Sequence, residues 1–189
     1  MSDGAQVGAG IDVLFVCTAG RCRSPIAAAM LDAYAPRAGS PLVGRSGALV
    51  GAHGSVPPVG ITVMRERGLE LGGHRSLPVA AASVASAALV LGMEREHVRA
   101  IVDAHPDAWV KTFTLKDFVQ RVEKSAVRGR HQRFADWLQH VGDGRTRDDV
   151  AGESAEDDIV DPYGQRASVW REVVDELDDL VRRLIPNVT

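Results

Sequence analysis

The run Val13-Leu14-Phe15-Val16 ends on Cys17, and after five more residues the chain reads Arg23-Ser24-Pro25. A short, β-rich apolar run without alternation is what a parallel strand covered on both faces requires. Pro25 suits the first turn of a helix, where its missing N–H costs nothing, and Ser24 ahead of it is placed to cap. Strand, tight loop and helix in this order restrict the chain to an α/β fold. They also place backbone N–H groups of residues 18–22 at a helix N-terminus, a geometry that cradles an anion.

The side chains in that loop add chemistry. A thiol among inward N–H groups, a helix N-terminus and a guanidinium is expected to react as a thiolate, which makes Cys17 a candidate nucleophile. Arg23 offers a planar fork for two phosphate oxygens. Ser24 can donate to the Cys17 sulfur and ease its later departure. The phosphate-binding loop so defined comprises Thr18, Ala19, Gly20, Arg21, Cys22 and Ser24. The plainer reading of Cys17 is a buried, inert thiol at a strand end. Cys22 either packs behind the loop or forms a reversible disulfide with Cys17 that shields it from over-oxidation.

The rest of the chain supports an ordinary globular domain. Its 189 residues are 45 % hydrophobic, long enough for a full core. A net charge of −3 suggests neither a nucleic-acid nor a membrane surface. No stretch has the length of a membrane span, and Met1 to Gly10 lacks the pattern of a signal peptide and reads as a loose tail. Two cysteines in one loop make no disulfide framework and fit the cytoplasm, and with no nearby His pair they make no zinc set. No metal, no cofactor and a monomeric state are therefore expected.

Along the chain, strands and helices alternate. Helices are predicted over Pro25–Tyr34, Ile61–Gly68, Glu94–Ala104 and Arg166–Ile185, the last with Val169, Val173, Leu177, Leu180 and Leu184 on one face. Strands are predicted over Pro41–Leu49, Ala87–Met93 and, with alternating character, Trp109–Leu115. The expected architecture is a small doubly wound four-stranded parallel sheet flanked by helices, spanning 11–189, with ligands beyond the strand C-termini. Residues 116–158 read as an insertion: two short amphipathic helices, then a mobile charged loop over Gly142–Asp158. The basic run Lys124, Arg128, Arg130, His131 and Arg133 reads as a solvated helix face rather than a docking surface.

A thiolate that displaces an alcohol from phosphorus needs an acid for the leaving oxygen. Asp161, in Ile159-Val160-Asp161-Pro162-Tyr163-Gly164, is the candidate, because Pro162 biases it to an extended backbone that would aim the carboxyl group. Taken alone, Asp-Pro is equally a common turn starter.

The segments around Cys17–Pro25 and Asp161-Pro162 together resemble the low-molecular-weight protein tyrosine phosphatase family, whose fold is shared with one class of arsenate reductases. Cys17, Cys22, Arg23, Ser24 and Pro25 all match its loop. The resemblance implies hydrolysis of phosphotyrosine, on a protein substrate, through a phosphocysteine, with Asp161 as the general acid. It also implies that Ser46 and His74 brace the loop. Two positions depart from the family: Gly20 replaces the usual Asn, and Ala52 stands where an aromatic residue is frequent, leaving Tyr163 as the aromatic wall of the mouth. His53, His97, His105, His131 and His140 are assigned no role beyond surface or helix positions. Two alternatives stay open. One is an arsenate reductase using Cys17 with a small thiol, since Ala80–Met93 has no relay cysteine. The other is a phosphate-binding module with little turnover.

Overall fold

The computed structural model describes residues 10–51, 53–129, 131–152 and 154–188. The expectations placed on the tail before Gly10, on Ala52 and on Arg130 lie outside those residues. Four parallel strands, β1 (Ile11–Cys17), β2 (Leu42–Ala48), β3 (Leu89–Gly92) and β4 (Thr112–Thr114), form one sheet in the order β2-β1-β3-β4. β1 is central, pairing with β2 from Ile11↔Leu42 to Cys17↔Ala48 and with β3 from Val13↔Leu89 to Val16↔Gly92.

The unbroken apolar character of β1 follows from that position. Val13, Phe15 and Cys17 point into the larger core with α1 (Arg23–Tyr34), α2 (Pro58–Arg65), α5 (Leu115–Lys124) and α8 (Ala167–Leu184). Leu14 and Val16 point the other way, toward Val84 of α3 (Ala81–Ser86) and Ile101 of α4 (Arg95–Ala104). Both faces are thus covered, and every crossover brings the next strand in parallel. All strands therefore end on one side of the sheet, where Cys17 closes β1.

Five details differ from the sequence reading. α1 starts at Arg23 with Cys22 as its N-cap and no side-chain cap bond, so Ser24 lies inside the first turn and does not cap. The fourth strand is three residues, all buried, because Pro106 starts a 3-10 helix that runs to Lys111. The Ala-rich α3 carries one buried side chain, Val84, and so shows no helical stripe to detect. The segment read as a mobile loop holds α6 (Phe134–Val141) at its edge and then α7 (Arg147–Ala151), opened by a Thr146/Asp149 capping box. It is pinned further on, where Arg95 forms an ion pair with the buried Asp157 and donates its backbone N–H to Asp158 Oδ1 at 2.7 Å. The basic run is not one helix face either, since α5 ends at Lys124.

Candidate active site

The site is assembled where three strand ends meet. Backbone bonds from Leu49 N–H to the Cys17 carbonyl and from Val50 N–H to the Thr18 carbonyl (3.2 and 2.8 Å) tie the loop to the exit of β2. Met93 N–H donates to the Val16 carbonyl, and Ile159 N–H to the Met93 carbonyl, which carries the Asp161 segment to the end of β3. Among the described residues, the backbone N–H groups of Thr18 to Cys22 donate to no carbonyl and no side chain. Five unpartnered amides in a loop that opens a helix leave donors free for an anion, for which backbone donors are otherwise nearly always paired.

Gly20 explains how the loop keeps its shape. Its φ is +61°, in the left-handed region, and a Cβ there would stand 2.9 Å from Ala48 Cβ and 3.1 Å from Ser76 Cβ. The space an Asn side chain needs is filled by those neighbours, so bracing passes to the backbone. His74 Nε2 lies 2.8 Å from the Gly20 carbonyl, and Ser76 Oγ accepts from Gly54 N–H at 2.9 Å. His74 thus touches the loop backbone directly. Ser46 does not: it faces Phe15 in the β1–β2 register and lines a groove with Asp12, Leu14 and Arg45, and its hydroxyl makes no hydrogen bond to the loop among the described residues. By register Ser46 shares the strand face of Ala48, whose Cβ packs against Gly20, and with glycine at position 20 there is no loop side chain for its hydroxyl to bond.

Cys17 is 2 % exposed, and its Sγ lies 3.1 Å from Ser24 Oγ. The same hydroxyl is 3.4 Å from the Gly47 carbonyl, a longer and poorer alternative for its one proton. Cys22 is buried beside the cavity. Burial, followed by the negative charges of Asp161 and Cys17, pushes its thiol up to about 12, so it stays protonated. Both cysteines are free.

Arg23 is 1 % exposed and is held from three sides. Its Nη1 forms an ion pair with Glu94 and donates to the Ile159 carbonyl at 2.7 Å, and Nη2 donates to Asp161 Oδ2 at 3.1 Å. Its Nε is buried with no hydrogen-bond partner among the described residues. An unpartnered buried guanidinium N–H is costly, and a phosphoryl oxygen in the loop would satisfy it. Asp161 is itself aimed by an Asx-type turn, with Oδ1 accepting from Tyr163 N–H at 3.0 Å. Cys17, Thr18, Ala19, Arg21, Cys22, Asp161 and Tyr163 line one cavity of about 240 Å³.

Two residues here escaped the sequence reading. Glu94 is the main partner of Arg23. His97, assigned only to a helix surface, is 2 % exposed, and its Nε2 lies 3.0 Å from Thr18 Oγ1. Burial, against the pull of Glu94, lowers its pKa to about 4, so the ring that supports Thr18 is neutral at pH 7. The available signal was position, because both residues follow directly on β3, at the ligand-binding edge of a parallel sheet. No group of His, Cys, Asp and Glu suited to a metal occurs among the described residues.

Comparison with known proteins agrees with this geometry. Residues 12–141 match the family model described as low molecular weight phosphotyrosine protein phosphatase. A protein-arginine-phosphatase of Geobacillus stearothermophilus is 32 % identical over 176 residues, covering 91 % of this chain and 92 % of the relative. The low molecular weight protein-tyrosine-phosphatase Etp of Escherichia coli K12 is 29 % identical over 133 residues, covering 68 % and 83 %. The crystal structure of a YwlE mutant from Bacillus subtilis superposes with a TM-score of 0.71 at 26 % identity, covering 93 % of this chain and 97 % of that one.

Proposed function

From the premise that this chain belongs to the low molecular weight phosphotyrosine protein phosphatase family and is a cysteine-based phosphatase, we propose that it hydrolyses phosphotyrosine in proteins, with Cys17, Arg23 and Asp161 as its catalytic residues. The observation that carries the reading is Arg23, which ties the acid-bearing turn to the nucleophile loop through Asp161 while Cys17 and Asp161 line one cavity.

In the first step Cys17 Sγ attacks phosphorus as the P–O bond to the phenol breaks, and Asp161 donates its proton to the leaving oxygen. The product is a phosphocysteine and a free phenol. In the second step water attacks phosphorus while Asp161 takes its proton. The S–P bond then breaks, releasing inorganic phosphate and a thiolate that Ser24 Oγ stabilises at 3.1 Å. Arg23 and the free loop amides hold the equatorial oxygens throughout. The Tyr163 ring, 55 % exposed at the cavity rim, supplies an aromatic wall for a phenyl group. The reading places the enzyme in the cytoplasm, where Cys17 remains reduced, and as a monomer.

A second reading, dephosphorylation of protein arginine, is favoured by one observation: the relatives that match more than nine-tenths of the chain carry the name protein-arginine-phosphatase. Initial rates on phosphotyrosine and phosphoarginine peptides of one sequence separate the two. Asp161→Asn tests the acid with aryl phosphates of graded leaving group. The expected fall in kcat/KM is about 10²–10³-fold for a phenol of high pKa and under about tenfold for a nitrophenol. Equal falls across the series would remove Asp161 from the acid role.

A further inference from the structure

We propose that Arg21 is a charge-reading residue at the cavity mouth, which selects phosphoresidues flanked by carboxylates and works against a guanidinium leaving group. The inference rests on the phosphatase reading above and deepens its substrate class.

Arg21 lines the cavity that holds Cys17 and Asp161, so its charge faces the substrate rather than the core. Its placement is fixed. Nε donates to the Ser55 carbonyl at 2.9 Å, Nη1 reaches Tyr163 Oη at 3.5 Å, and the guanidinium carbon lies 5.0 Å from the Tyr163 ring centroid. Gly54 makes room for the side chain, since a Cβ there would stand 2.4 Å from Arg21 Cδ. The loop after β2 and the loop carrying the acid therefore both grip this one side chain. Yet its hydrogen bonds go only to a carbonyl and a phenol, and among the described residues no carboxylate forms an ion pair with it. Arg23, two residues on, is by contrast paired with both Glu94 and Asp161.

A positioned guanidinium with no carboxylate partner and only a long bond from Nη1 to a phenol is a receptor for a second anion beside the phosphoryl group. A carboxylate side chain next to the phosphotyrosine in an acidic peptide has that chemistry. The same charge acts oppositely on phosphoarginine. As the P–N bond breaks and Asp161 protonates the leaving nitrogen, a cationic guanidinium forms in the cavity that Arg21 lines, and like charges at close range are unfavourable.

The test uses three phosphotyrosine peptides that differ only in flanking residues, Glu, Gln or Lys, and one Gln-flanked phosphoarginine peptide. The wild type is expected to favour the Glu over the Gln peptide by about two- to fivefold in kcat/KM, the scale of one partly exposed ion pair. The Lys peptide is expected to be poorest, and the preference should fade between low and high salt. Arg21→Gln is expected to flatten the series and to raise phosphoarginine relative to phosphotyrosine. Arg21→Lys is expected to retain the Glu preference, which a merely structural role in gripping Tyr163 would not predict. A wild type that treats Glu, Gln and Lys peptides alike, or an unchanged ratio in Arg21→Gln, overturns the proposal. Affinities of the same peptides for the Cys17→Ser protein, read by fluorescence anisotropy, give the ratio without turnover. Failure of the charge proposal is thereby distinguished from failure of the phosphatase reading, which shows as absent hydrolysis of every phosphotyrosine peptide.

Discussion

Cys17→Ser is expected to lower hydrolysis of an aryl phosphate by about ten-thousandfold or more, with little change in stability. The hydroxyl is nearly isosteric, and the core around position 17 has no further demand on sulfur. What is lost is the thiolate's reactivity as nucleophile and leaving group, because a serine hydroxyl in this loop has no neighbouring base to take its proton and a phosphoserine releases its oxygen poorly. Ser24 Oγ sits 3.1 Å away, but it is a hydroxyl, and the nearest carboxylate, Asp161, is engaged with Arg23. Phosphate binding should survive, since the loop amides and Arg23 are untouched. The expected signature is therefore loss of kcat with retained product inhibition by phosphate, measured in one assay. Substantial turnover in the Ser variant would mean that another group attacks phosphorus.

Arg23→Lys carries the second large effect, and it separates catalysis from folding. Lysine keeps the charge but not the fork, so it cannot serve Glu94, the Ile159 carbonyl and Asp161 while also presenting an N–H to phosphate. Loss of a preorganised donor to the transferring phosphoryl group is expected to cost about 10²–10³-fold in kcat/KM. Breaking a fully buried ion pair costs about 3–5 kcal/mol. Here the penalty should be about 1–2 kcal/mol, because the positive charge is retained and the two carboxylates are 24 % and 44 % exposed and can hydrate. Denaturant midpoints read the stability, and steady-state rates read the chemistry. A variant that loses activity only in proportion to the folded fraction would make Arg23 a structural residue.

How far the sequence could be read depended on whether a signal was local. β1, the loop and α1 were legible because a strand buried on both faces leaves an uninterrupted apolar run, and because Pro25 and Gly20 mark the turn. α8 was legible from its apolar stripe. The helices α3 and α7 were harder. The first is nearly all alanine and serine, and the second lies in a charged segment whose order comes from Arg95 and Asp157, 62 residues apart. The Thr146/Asp149 capping pattern was nonetheless a local cue.

The same division runs through the site. Cys17, Arg23 and Asp161 could be named as candidates because each stands in a short local pattern. Glu94 and His97 could not, because Glu94 acts by meeting Arg23 71 residues away and His97 by meeting Thr18 across 79. Ser46 shows the converse, since a matching pattern on β2 ends, among the described residues, with no hydrogen bond from its hydroxyl to the loop. Gly20 sharpens the point. The sequence shows only that the usual Asn is missing there, whereas the packing of Ala48 and Ser76 and the His74 contact show that its neighbours occupy the space instead.

The central claim is that phosphate passes through Cys17. Rapid acid quench of the wild type during turnover of an aryl phosphate, followed by peptide mass analysis, tests it most directly. The account predicts phosphate on the peptide containing Cys17, appearing within the first turnover and absent from the Cys17→Ala protein. Steady turnover with no phosphorylated Cys17 at any quench time, under conditions where a phosphocysteine standard survives the workup, would contradict it.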